Sequence, residues 1–161
     1  MRYVYNDGGR SKYYKGDAGD CAVRAIAIAT EMDYKEVYDL MKSELDDLKE
    51  TRYGKRRSKL QAKSSCRNGT PKRVCASTMA RLGWTWVPTM FFGEGCTTHL
   101  RSNELPMGRL VVSVSKHLCA VIDGVLHDTH DCSRDGGRCV YGYWTKTSAL
   151  TIGQFKEKFG G

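Results

Sequence analysis

No stretch of this 161-residue sequence approaches the roughly 20 consecutive apolar residues that a membrane span needs, which excludes a membrane-spanning helix. The N-terminus, MRYVYNDGGR, lacks the apolar core of a secretory signal, so a soluble, cytoplasmic protein with no membrane partner is expected. The seven cysteines have no regular spacing. That argues against a disulfide framework and for free thiols in a reducing compartment, and an odd number leaves at least one unpaired in a monomer. Neither an internal repeat nor a low-complexity tract is present, and the length fits one globular domain spanning residues 1–161.

Acidic residues are missing from one segment. Between Thr51 and Arg73 there are nine Lys or Arg and no Asp or Glu, leaving 17 basic against 18 acidic residues elsewhere. The net charge of +8 is therefore a property of this basic loop. Such a block, with Arg52, Lys55, Arg56, Arg57 and Lys59 at its centre, can dock nucleic acid or an acidic protein, or it can be a solvated loop. Aromatics are nearly absent from it too. Tyr53 alone interrupts the charges, so a stacking platform for single strands is poorly supported.

What is there divides into helices first and strands afterwards. Residues 1 to 18 read as irregular. CAVRAIAIAT, from Cys21, is apolar on nearly every side with Arg24 its only charge, and reads as a central buried helix. Asp33 to Glu36 has the form of a capping box, and Val37, Leu40, Met41, Leu45 and Leu48 recur at helical spacing behind it. Thr70-Pro71 opens a third helix, with Pro at its first position, and Leu82-Gly83 closes it. Residues 84–87, 110–115, 118–122, 125–128 and 140–144 are β-branched and aromatic stretches that predict antiparallel strands. Thr151 to Phe159 predicts a short terminal helix. The fold class is α+β, N-terminal helices packed on a C-terminal antiparallel sheet.

Candidate chemistry begins with LCAVIDGVLHDTH. Asp123-Gly124 between two apolar runs predicts a two-residue type I′ hairpin, in which paired residue numbers sum to 247. His117, Cys119 and Val121 then share a face with Leu126, Asp128 and His130, and Asp128 is a diagonal neighbour of His117 at about 7 Å. A carboxylate can thus orient an imidazole. Cys21 starts a helix, where the dipole and a nearby imidazolium lower a thiol's pKa. A cysteine at a helix start with His and Asp on a facing sheet is the plan of nucleophilic cysteine catalysis. His130 shares the face of His117 and competes for the role of base, while His99 reads as a loop residue or pocket wall. A metal site would draw on Cys119, His127, His130, Cys132 and Cys139, but the spacing is irregular and His127 points away from His130. Neither metal nor cofactor is assigned. Trp84, Trp86, Trp144, Tyr141 and Tyr143 read as sheet core and rim, with one of them available to wall a substrate groove.

GDCAVRAIAIAT, followed by KHLCAVIDGVLHDTHD and YGYW, resembles a group of small phage and bacterial proteins with a papain-like cysteine peptidase fold. The resemblance covers most of residues 3 to 145. It implies Cys21 as nucleophile, His117 as base and acid, Asp128 as the residue that holds the imidazole, and a protein or peptide substrate in the cytoplasm, the host's if the chain is phage-encoded. Papain-like enzymes place a Gln shortly before the nucleophile, and here no Gln precedes Gln61. Asn6 is the only upstream carboxamide for the oxyanion hole. The expected activity is hydrolysis of a peptide, isopeptide or other amide through a thioester on Cys21, with acyl transfer open when an amine replaces water. The alternative is a catalytically silent papain-like fold that binds through the basic segment.

Overall fold

The computed structural model describes residues 1–15, 19–50 and 70–146. The basic residues Arg52, Lys55, Arg56, Arg57 and Lys59 and the expected terminal helix at 151–159 lie outside the described residues.

Among the described residues, three α-helices pack together in one layer on one face of a six-stranded sheet. α1 (Cys21–Thr30) has eight of its ten residues buried, the outcome its nearly all-apolar sequence requires. It ends at Glu31 in the left-handed region, φ 61°, and its last carbonyls are capped by Arg109. The guanidinium donates to Ile28 O and Ala29 O at 2.7 Å each, placing positive charge at the negative end of the helix. α2 (Tyr34–Glu50) buries Tyr34, Val37, Met41, Leu45 and Leu48 on one stripe, and Asp33 Oδ2 accepts the Lys35 N–H at its start. α3 (Lys72–Arg81) has Pro71 as its N-cap where the sequence suggested Thr70, so the helix starts one position later than expected, because Pro71 has an extended ψ of 142°. It closes as expected at Leu82-Gly83, where the Trp84 N–H reaches back to Met79 O at 2.9 Å.

The strands are β1 (Arg2–Tyr5), β2 (Thr85–Pro88), β3 (Arg109–Val114), β4 (His117–Ile122), β5 (Val125–Asp128) and β6 (Val140–Thr145), in the order β1-β5-β4-β3-β6-β2. The expected hairpin is present. Ile122 pairs with Val125, Val121 with Leu126 and Ala120 with His127, and Asp123 and Gly124 both have positive φ, as a type I′ turn demands.

Two expectations need correction. Arg2–Tyr5 is a strand, and it runs parallel to β5, so the sheet is mixed and not purely antiparallel. The cysteines are not all free: Cys96 and Cys139 form a disulfide between the loop after β2 and the start of β6, beside the antiparallel bridge of His99 with Cys139 that brings the two segments together. The second face of the sheet carries Leu110, Val112, Cys119, Val121 and Leu126, covered by loop residues including Leu100, Leu105 and Cys132. The sheet therefore lies between two apolar layers, and the row that contains His117 and Asp128 belongs to the layer away from the helices.

Candidate active site

α1 begins at Cys21, which sets the thiol at the positive end of the helix dipole. Asp20 is the N-cap residue, yet its side chain makes no capping hydrogen bond. The carboxylate is fully buried and accepts from Arg24 Nη1 at 2.6 Å and Tyr34 Oη at 2.5 Å, with Arg10 Nε at 2.9 Å. A buried carboxylate is tolerable only with partners of this kind, and these three join the turn at Arg10, α1 and α2. The first-turn amides of α1 are thus left uncapped by Asp20.

His117 is the first residue of β4 and Asp128 the last of β5, so antiparallel pairing brings both to the same end of the sheet. There the imidazole reaches Cys21 around the end of the sheet, although its row faces away from the helices. His117 Nε2 donates to Asp128 Oδ2 at 2.5 Å. The other carboxylate oxygen accepts the Thr129 N–H at 2.7 Å and lies 3.9 Å from Arg24 Nη2. The carbonyl of Asp128 is bound by the Asn6 N–H and by Tyr3 Oη, so β1 fixes the acid's backbone.

Burial opposes the charge on His117, but hydrogen bonds to Asp128, Cys132 and Cys21 outweigh it and push its pKa up to about 11. Burial likewise opposes ionisation of Cys21. The hydrogen bond from His117, one from the Leu118 N–H and the charges of His117 and Arg24 more than offset it, holding the thiol below its ordinary value. Asp128 follows the same pattern: burial pushes it up, and the His117 contact prevails and holds it below the usual carboxylate range. The arrangement favours a thiolate on Cys21 beside an imidazolium on His117. Cys21 and His117 both line a cavity of about 300 Å³, bounded also by Lys72, Ser113, Lys116 and Trp144. A larger cavity of about 580 Å³ lies at the far end of α1, around Thr30 and Arg109, away from these groups.

Set against known proteins, the chain matches no family model, no curated protein and no solved structure.

The structure brings Cys21, His117 and Asp128 together. His130 is exposed, its ring centroid 5.2 Å from that of His117, and it flanks the site without replacing His117 at Asp128. Asn6 is engaged elsewhere: its Nδ2 is 3.3 Å from His127 Nδ1 and its Oδ1 accepts the Gly8 N–H. His99 pairs with Glu104 in the loop, at 3.1 Å. The five residues weighed as metal ligands do not converge, since Cys139 is in the disulfide and His127 contacts Asn6. Among the described residues, a different set, His117, Asp128 and Cys132, brings its ligating atoms within 4.8 Å of one another.

Sequence reasoning missed Cys132 and Arg24. Cys132 is 3% exposed and its Sγ lies within 4.8 Å of the ligating atoms of His117 and Asp128, its own pKa lowered to about 6 chiefly by Cys119, against burial, and then by His117. Nothing in the irregular 129–139 loop announces that approach. Arg24 had a usable signal. It lies four residues after Asp20 and three after Cys21, so a helix places it beside both.

Proposed function

We propose that this protein is a papain-like cysteine hydrolase that cleaves a peptide, isopeptide or other amide bond. The observation that carries the reading is that Cys21, at the start of α1, lines the same cavity as an imidazole that Asp128 holds at 2.5 Å. Cys21 is the nucleophile, His117 the acid and base, and Asp128 the residue that fixes the ring's orientation. With Nε2 bound to Asp128, Nδ1 is the ring nitrogen left to exchange a proton with the reacting groups.

The Cys21 thiolate attacks the carbonyl carbon, and negative charge develops on the oxygen. The backbone N–H groups at the start of α1, which the Asp20 side chain does not cap, are assigned to receive it, a role that needs no upstream Gln. The C–N bond breaks as His117 gives its proton to the leaving amine. Water then attacks the thioester while His117 takes its proton. The C–S bond breaks, releasing a carboxylic acid and restoring the thiolate–imidazolium pair. An amine in place of water gives acyl transfer.

Among the described residues, the thiols of Cys21, Cys119 and Cys132 stand outside the Cys96–Cys139 disulfide, which fits a cytoplasmic setting. The concentration of charge in residues 51–73 favours a second role, delivery to nucleic acid or an acidic protein. That role predicts binding that weakens steeply with salt and is lost on neutralising Lys55, Arg56, Arg57 and Lys59. Binding indifferent to salt removes it. The hydrolase reading is tested with a peptide vinyl sulfone. It should add one equivalent at Cys21 in the wild type and none in Cys21→Ala, and labelling at an unchanged rate in the variant would overturn it.

A further inference from the structure

The cavity at Cys21 does not end at Trp144. A second hollow of about 290 Å³ shares Lys72, Ser113 and Trp144 with it and extends to Trp86, Ala76 and Tyr141. The walls are built for a flat apolar group. Trp86 pairs with Trp144 across β2 and β6, ring centroids 4.5 Å apart, and remains 41% exposed. Gly142 makes this possible, since a Cβ there would drive into the Trp86 ring and the Val87 carbonyl. A glycine inside a strand costs stability, and here it lets an aromatic side chain lie flat against the backbone beside the nucleophile's cavity.

The polar lining has one sign. Lys72 lies between the two hollows with Nζ 5.3 Å from the centre of the Tyr141 ring, and Lys116 borders the part next to His117. Among the described residues, no carboxylate borders either hollow. An apolar floor with ammonium groups on its rim selects a large apolar side chain beside a carboxylate, because the ring buries area while the acid meets a cation.

We propose that this continuous trough is the substrate-recognition site, and that it takes a peptide segment with an aromatic residue next to an acidic one, adjacent to the bond presented to Cys21. The proposal rests on the hydrolase reading for the identity of that bond, while recognition by the trough is testable without turnover.

The experiment uses the full chain carrying Cys21→Ala, labelled with ¹⁵N, and follows the Trp86 and Trp144 indole N–H signals by NMR. Three blocked peptides are titrated: acetyl-Phe-Asp-Gly-amide, acetyl-Ala-Asp-Gly-amide and acetyl-Phe-Lys-Gly-amide. The first should bind at least about 5-fold tighter than either other and move both indole signals. In Lys72→Glu the preference between Asp and Lys should reverse, and in Trp86→Ala the preference for Phe over Ala should collapse. Equal affinities, or shifts confined to other surfaces, would overturn the proposal. Iodoacetamide labelling of the wild type separates the two ideas. An inert Cys21 with selective peptide binding sinks the hydrolase and leaves the trough; a reactive Cys21 without selectivity does the reverse.

Discussion

Arg24 joins Asp20 to Asp128. Its Nη1 donates to Asp20 at 2.6 Å and its Nη2 lies 3.9 Å from Asp128 Oδ1, so one guanidinium links the residue before the nucleophile to the residue behind the base. The acid next to Cys21 is turned inward by this link, and its negative charge is neutralised by arginine and kept from capping the helix. That leaves the positive end of α1 to the thiolate.

Replacing Arg24 by Met keeps the volume and removes the charge. The buried Asp20 then retains only Arg10 and Tyr34, and breaking a buried pair in this way costs about 3–5 kcal/mol. Urea unfolding should show a loss of that order. Arg81→Ala, which removes an exposed partner of Glu44, should cost no more than about 1 kcal/mol. Equal effects would show that the Asp20 network does not hold this end of the fold together.

Asp128→Asn keeps the shape beside His117 and replaces the carboxylate whose hydrogen bond, and then whose charge, raises the imidazole's pKa against burial. The His117 pKa, read by NMR titration of its ring protons, should fall from about 11 by several units. The stability contribution has a definite sign. A raised histidine stabilises most fully below its unfolded value of about 6.5 and loses that contribution as pH rises through about 11. The lowered Asp128 contributes above its unfolded value of about 3.9 and is lost as pH falls through its folded one. The gap in stability between wild type and Asp128→Asn should therefore be widest between about pH 4 and 6.5. A gap independent of pH would contradict the pairing.

Much of this geometry was legible because it is local. The Asp123-Gly124 turn fixes the register of β4 on β5, and register alone places His117 next to Asp128. The alanine-rich run fixes α1 and so the position of Cys21 at its start. The parallel pairing of β1 with β5 was not legible, because RYVY is only four residues long and its partner lies more than 120 residues away. The burial of Arg10 and Arg24 was hidden for a similar reason, since it depends on where Asp20 turns its carboxylate. The Cys96–Cys139 bond joins two stretches without regular structure, which carry no periodic signal to bring them together.

That disulfide closes a loop across 43 residues. Removing it by Cys96→Ser with Cys139→Ser should lower stability by about 2–4 kcal/mol under non-reducing conditions, because the unfolded chain regains the freedom the crosslink denies it. Denaturant midpoints unchanged between wild type and the double variant would mean the bond adds nothing to the fold.

Cys132 has a lowered pKa but is buried, whereas Cys21 borders a cavity. Reactivity needs access as well as ionisation, so mass spectrometry of partially alkylated native protein should find Cys21 modified first. Cys119 and Cys132 should react only as urea unfolds the chain. Modification of Cys132 ahead of Cys21 would move the nucleophile to the core side of His117.

The central claim is that His117 activates Cys21, and the pH dependence of Cys21 alkylation by iodoacetamide, in the wild type and in His117→Ala, tests it most directly. In the wild type the rate should rise through a pKa below the ordinary thiol value of about 8.5. Without His117, burial is opposed only by the Leu118 amide and Arg24, so the same rise should move up toward or beyond that value. A Cys21 that alkylates with the same pH profile in both proteins would contradict the account.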